Sequence, residues 1–253
     1  MFLPLPPLLQ TAMALRYVAS TSTLESHHCT CAFSILRRAE SNVFAALGVD
    51  DFKEVKKLIV DSILATDMTM HFQLKSDLDD LKTPDAVQTN NHLLAQALVH
   101  AADISNPTKP FDICKKWSDL LLEEFFAQGD RYALPCLSGP AYAAAALAHT
   151  FLLCLLLVFH SYHNREKREG LPVSPNMDRL TTDQASLSLN FCDFIVAPFF
   201  ISIAAILPLS KAVVTALADN RAEWQRRRVK SSDPAEEQKW SRRDAAFLES
   251  IAQ

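Results

Sequence analysis

Glycine is nearly missing from this sequence: four residues in 253, at Gly48, Gly129, Gly139 and Gly170. No GxGxxG or Walker-type loop can be assembled from them, so a phosphate group, if bound, has to be held in another way. Blocks of like charge are also missing. The formal charge is −4, acids and bases are interspersed, and the single basic run is Arg226 to Arg228, which excludes nucleic acid as the main partner. Six cysteines are present without a CxxC pair, and Cys29 and Cys31 are spaced too tightly for paired zinc ligands. They read as reduced thiols of a cytoplasmic protein. The opening MFLPLPPLLQTAMA has no Lys or Arg ahead of its apolar stretch and is interrupted by prolines, which argues against a secretory signal and for a leader, residues 1–12, outside the fold.

What is present is helical. Nearly half of the residues are hydrophobic (49%), enough for a full core, and they recur at three- and four-residue spacing. In DDFKEVKKLIVDSILATDMTMHF, Phe52, Val55, Leu58, Ile59, Ser62 and Ile63 form one stripe while Lys53, Glu54, Lys56 and Lys57 face away. Asp50 and Asp51 stand where a cap and first-turn acids belong. Further helices are predicted at Thr23–Arg38, Ala86–Ala102, Phe111–Gln128, Thr182–Phe200 and Lys211–Arg227. Loops are predicted at KSDLDDLKTPD, SNPTKP and LPVSPN, where Pro, Asn, Asp and Ser cluster. The expected fold class is all-α, with a charged tail over 229–253.

One segment stands apart. From Tyr132 to Asn164 the chain carries no Asp, Glu, Lys or Arg, and Ala141 to Phe159 is apolar apart from His149 and Thr150. That length can span a bilayer or form a fully buried helix.

Several polar groups invite a chemical reading. Asp103, in HAADISNPTKP, follows an apolar run and has His100 one turn earlier on the same helical face; it serves as a turn-capping carboxylate or as a metal ligand. Glu25 and His28, in ESHH, are a solvated helix face or a group that orders a metal site. Thr66, Asp67 and His71 close the long amphipathic stretch, where a histidine also suits a helix C-terminus. Around the Phe125 and Phe126 pair, Glu123, Glu124, Asp130 and Arg131 read equally well as helix-surface charge.

The succession TLESHHC, ILATDMTMHF, HAADISNPTKP, KKWSDLLLEEFFAQGDR, VSPNMDR and NFCDFIVAP, from Met13 to Arg228, resembles the catalytic domain of class I 3',5'-cyclic nucleotide phosphodiesterases. The resemblance implies a compact, HD-domain-like helical fold. It also implies an enzyme that hydrolyses cAMP or cGMP to the 5'-monophosphate in signal transduction, using two divalent metals, zinc and magnesium or manganese, to activate water and neutralise the phosphoryl oxygens. It assigns Asp103 to the tighter metal, and Glu25 and His28 to the ordering of metal-bound water. Thr66 and Asp67 lie near the second metal, with Met68 at the entrance. Asn106 belongs to the nucleotide pocket, Trp117, Leu121 and Phe125 form its wall, and Phe191 stacks on the purine.

Three departures from the family follow. The HNxxHAxD and HDxxHxG motifs, which supply the other metal ligands and the proton donor, are absent. The expectation is therefore a domain incomplete in its N-terminal half and impaired in hydrolysis. Ser188 occupies the place of a glutamine whose amide would make two bonds to the purine; Cys114 and Asn190 replace Tyr or His and Gly. Finally, removing residues 132–165 joins Arg131 to Glu166 and restores the family spacing, which marks an insertion, as from an unspliced intron, ahead of a membrane helix. Alternatives are a non-catalytic nucleotide-binding or interaction protein and a single-pass membrane protein.

Overall fold

A computed structural model describes residues 16–17, 20–81, 84–132, 182–207 and 211–252. The leader, the central apolar segment and VSPNMDR lie outside these residues. Among the described residues there are helices and no strands, in keeping with the all-α expectation. The first two helices are α1 (Thr23–Leu36) and α2 (Val49–Leu64), followed by α3 (His71–Asp79), α4 (Pro84–Thr89) and α5 (Asn91–Asp103). After these come α6 (Phe111–Tyr132), α7 (Gln184–Phe191), α8 (Ala197–Ile206), α9 (Lys211–Arg227) and α10 (Pro234–Ala252).

The amphipathic pattern of α2 holds. Phe52, Val55, Leu58 and Ile59 are each partly buried while Lys53, Glu54, Lys56 and Lys57 are exposed. Gly48 takes the cap position and both Asp50 and Asp51 fall in the first turn, beside the free N–H groups that favour negative charge. Beyond Ala65 the chain makes a 3₁₀ turn, Met68–Met70, and restarts as α3.

The predicted loop KSDLDDLKTPD is helical over its first half. Leu74 and Leu78 are buried one turn apart, and Lys75 pairs with Asp79 and Gln73 with Asp77 across the same spacing. Conversely, the predicted helix Ala86–Ala102 is broken at Asn90, whose side-chain amide donates to the Ala86 carbonyl (2.7 Å) and so ends α4. The expected charged tail is also mostly structured: α10 buries Trp240 and Phe247 and returns against the fold.

The main core is built from Leu74 and Leu78 of α3, Ala97 and Ala101 of α5, Phe199, Phe200 and Ile203 of α8, Leu217 of α9 and Phe247 of α10. A second cluster joins Cys114 of α6, Ala185 and Leu189 of α7, Trp224 of α9 and Trp240 of α10. From Gln184 to Ile206 the chain is continuous helix, long and apolar enough to cross a membrane by length and composition, and over half of its most apolar window is buried against the other helices. A π turn, Cys192–Val196, interrupts it just ahead of Pro198. A proline ring collides with the carbonyl four residues back, and the wider turn relieves that collision.

Candidate functional site

The polar residues expected from the sequence gather in two groups. The first lies where α1, α2, α3 and α5 meet. Asp67 caps the 3₁₀ turn: one carboxylate oxygen accepts from the Thr69 backbone N–H (2.8 Å) and the other from the Ser22 hydroxyl (2.6 Å), which ties the turn to the start of α1. Asp67 is 5% exposed, so this pairing leaves it little access to solvent. Thr66 donates its hydroxyl to the Ile63 carbonyl (2.8 Å) and caps the end of α2, while Met68 packs against the main core. Glu25 is half-buried and His28 exposed on α1.

Behind the 3₁₀ turn, His71 and His100 are fully buried, with His71 Nδ1 2.9 Å from His100 Nε2. The sequence suggests His71 as a histidine ending the long helix; it begins α3 instead and faces the core. Burial, then His100 and Lys75, push the His71 pKa down to about 4. Burial also lowers that of His100, against the Ala65 carbonyl and the charges of Asp103 and Asp67. Asp103 is the last residue of α5 and is exposed.

Among the described residues, the donor set around Asp103 does not make a metal site. His100 Nε2 is committed to His71, and both oxygens of Asp67 are engaged by Ser22 and Thr69. Among the described residues no group of three or more His, Cys, Asp or Glu is placed to hold a metal ion. A lone exposed carboxylate falls short of the three or four ligands that a zinc site uses.

The second group lies between α6 and α7. Trp117, Leu121 and Phe125 recur every four residues on α6; Trp117 is 53% exposed and Leu121 39%. Ser188 Oγ lies 3.1 Å from Ser118 Oγ. Phe191, one turn further along α7, is half-buried against the main core. The sequence reading missed Gln184, one turn before Ser188, whose amide donates to Ser118 Oγ (3.0 Å) and Asp119 Oδ1 (2.7 Å). Lys115 and then this amide hold the Asp119 carboxyl below its ordinary value. Asn106 opens the 3₁₀ turn of SNPTKP, which the buried Asn220 of α9 fastens by donating to the Pro107 and Lys109 carbonyls (both 2.6 Å). A cleft of about 600 Å³ elsewhere, between α3, α8 and α10, includes none of the expected site residues.

A sequence profile described as 3'5'-cyclic nucleotide phosphodiesterase matches residues 8–135 and 144–217. The chain belongs to this phosphodiesterase family. The match begins five residues ahead of Met13 and is broken at 136–143, inside the charge-free segment. The chain is 31% identical over 202 residues to the mouse high affinity cGMP-specific 3',5'-cyclic phosphodiesterase 9A, an alignment covering 79% of this chain and 31% of the relative. It is 33% identical over 203 residues to the mouse dual specificity calcium/calmodulin-dependent 3',5'-cyclic nucleotide phosphodiesterase 1B, covering 79% and 30%. The crystal structure of the phosphodiesterase domain of Salpingoeca rosetta rhodopsin phosphodiesterase superposes with a TM-score of 0.62 at 26% identity, covering 85% of this chain and 57% of that one. The phosphodiesterase fold is thus present, and the chain spans less than a third of the length of these curated relatives. The family's chemistry is metal-dependent.

Proposed function

We propose that the protein hydrolyses 3',5'-cyclic nucleotides, cAMP or cGMP, to 5'-monophosphates, and that this chain by itself carries the nucleotide-holding side of that activity but turns substrate over poorly. The single observation behind the proposal is the family match running through both residue groups, from α1 to α9. Phe191 would supply the face on which a purine stacks, Trp117, Leu121 and Phe125 the apolar wall, and Asn106 and Ser188 hydrogen bonds to the nucleotide. Glu25, His28, Thr66, Asp67 and Met68 would border the phosphate end. Zinc with magnesium or manganese, the metals expected of the family, would supply the activated water, and Asp103 is the one ligand proposed for them here. The impairment rests on the donor set: His71 and His100 are bonded to each other, and the carboxylate of Asp67 to Ser22 and Thr69. A cytoplasmic location is part of the same reading, with the unpaired thiols as its support.

The test is a pair of measurements on the purified chain with added zinc and magnesium. Equilibrium binding of cAMP and cGMP is expected, weakened by Phe191→Ala, with no hydrolysis above a metal-only blank. Turnover above that blank overturns the impairment. Absence of binding leaves the alternative reading, a scaffold that serves protein interaction.

A further inference from the structure

Four cysteines of the described residues carry free thiols, and three of them are shielded. Cys114 and Cys192 are buried in the core. Cys29 is partly buried on α1, where burial, with Glu25 adding to it, raises its pKa and keeps the thiol protonated. Cys31, two residues further along α1, is exposed.

Cys31 also has a base. His27 lies one turn earlier, with its Nε2 3.4 Å from Cys31 Sγ. The opposite ring nitrogen, Nδ1, lies 3.2 Å from the hydroxyl of Tyr17, whose ring meets the imidazole edge to face at 5.9 Å between centroids. When Nδ1–H donates to the tyrosine oxygen, Nε2 is the free lone pair and it faces the thiol. A nucleophile, a base within reach of its proton and a third group that fixes the base's orientation are the parts of an activated thiol. Spacing brings Cys31 and His27 together, because residues four apart share a helix face. Tyr17 comes from outside α1 and fixes the ring by a contact ten residues away in sequence.

We propose that Cys31 is a modification site: an accessible thiol activated by His27, which exchanges with small disulfides such as glutathione disulfide. The step balances without any other reagent. His27 Nε2 takes the Cys31 proton as Sγ attacks one sulfur of the disulfide. The new S–S bond forms as the old one breaks, and the second glutathione leaves as a thiolate and recovers the proton. Cys31 is oxidised to a mixed disulfide and one equivalent of glutathione is reduced to its thiol. This inference does not depend on nucleotide binding or hydrolysis. The adduct would stand on the His28 flank of α1, three residues along the helix.

The experiment incubates the full chain with glutathione disulfide and follows the mixed disulfide at each of the six cysteines by peptide mass spectrometry over time. Cys31 is expected to react about tenfold or more faster than Cys29, and faster than Cys31 in the urea-unfolded chain by a similar factor. His27→Gln is expected to remove most of that excess at pH 7 with an unchanged far-ultraviolet circular dichroism spectrum, and Tyr17→Phe to remove part of it. If His27→Gln does not fold, the Tyr17→Phe rate and the folded-to-unfolded ratio decide. Equal rates for Cys31 in the folded and unfolded chain, or a rate untouched by both substitutions, overturn the proposal.

Discussion

His71 Nδ1 and His100 Nε2 meet at 2.9 Å inside the main core, on two helices whose ends carry the turn of Asp67 and the exposed Asp103. One ring must donate and the other accept, and burial, which lowers the pKa of both, keeps the pair neutral at pH 7. His71 Nε2 finds no partner among the described residues, and the Ala65 carbonyl faces His100 without reaching its Nδ1 in bonding geometry. The aromatic faces of Phe72 and Phe199 close the remaining sides.

That neutrality makes stability depend on pH. Burial, His100 and Lys75 depress the His71 pKa to about 4, while Asp67 and Asp103 pull that of His100 in the opposite direction without cancelling its burial. In the unfolded chain both titrate near 6.5, so below that value the unfolded state binds more protons than the native one. The contribution is intact above pH ~6.5 and is lost as the pH falls toward 4, at about 1.4 kcal/mol per pH unit for His71, with His100 acting in the same direction. Urea midpoints measured between pH 7.5 and 4.5 should fall accordingly, and His71→Phe should flatten the slope. A midpoint independent of pH over that range contradicts the buried pair.

Asp193, in the π turn two residues after Phe191, is held by two arginines from different helices. Arg221 of α9 donates from Nε (2.6 Å) and Nη2 (3.0 Å), and Arg243 of α10 from Nη2 (2.7 Å). Arg243 also donates to Asn190 (3.0 Å) and stacks on Trp240 at 4.0 Å. The Arg221 and Asp193 side chains are 5% and 8% exposed, and without the Asp193 carboxylate Arg221 keeps only its bond to Asp244 (2.8 Å). Asp193→Ala should cost about 2–3 kcal/mol in urea unfolding, less than for a buried charge left with no partner, because Asp244 still faces Arg221. Arg243→Ala should cost less, because Arg221 still neutralises Asp193.

The helices of this fold were legible in the sequence wherever one face repeats cleanly, as in α2 and α9. The breaks were not, because they depend on single side-chain bonds: Asn90 to Ala86 divides α4 from α5, and Asp67 to Thr69 divides α2 from α3. α10 was hidden by its charge. Trp240 and Phe247 lie seven apart on one face, but Arg228 and Arg243 cover the tryptophan as flat cations, and Arg221 lies over Phe247, so the segment reads as polar. At the candidate site, the order of the family-like blocks was readable. The role of Gln184 was not, since its partners Ser118 and Asp119 come from α6, more than sixty residues away in sequence.

Removing residues 132–165 should leave a more soluble chain. The interval from Tyr132 to Asn164 has no charged side chain, and an apolar stretch of that length must be buried or sit in lipid to avoid association. The family match is itself broken at 136–143. Soluble yield and light scattering of the shortened and full chains compare the two directly, and equal or lower solubility of the shortened chain counts against an insertion.

Ser188 offers the sharpest test of the nucleotide reading, because a gain is expected there. Its hydroxyl lies against Ser118, while the amide of Gln184 one turn away is spent on Ser118 and Asp119. No side-chain amide is thereby left at position 188 to read a purine edge. Ser188→Gln would place one there, adding a donor and an acceptor on a single rigid group, worth about 1–3 kcal/mol for two bonds after desolvation. Cyclic nucleotide affinity should rise about tenfold, with Phe191→Ala abolishing the gain because the ring it removes fixes the base plane against which the amide would be aimed. An affinity unchanged by Ser188→Gln, in a chain that still unfolds at the same urea concentration, would place the purine away from α7 and with it the pocket proposed between α6 and α7.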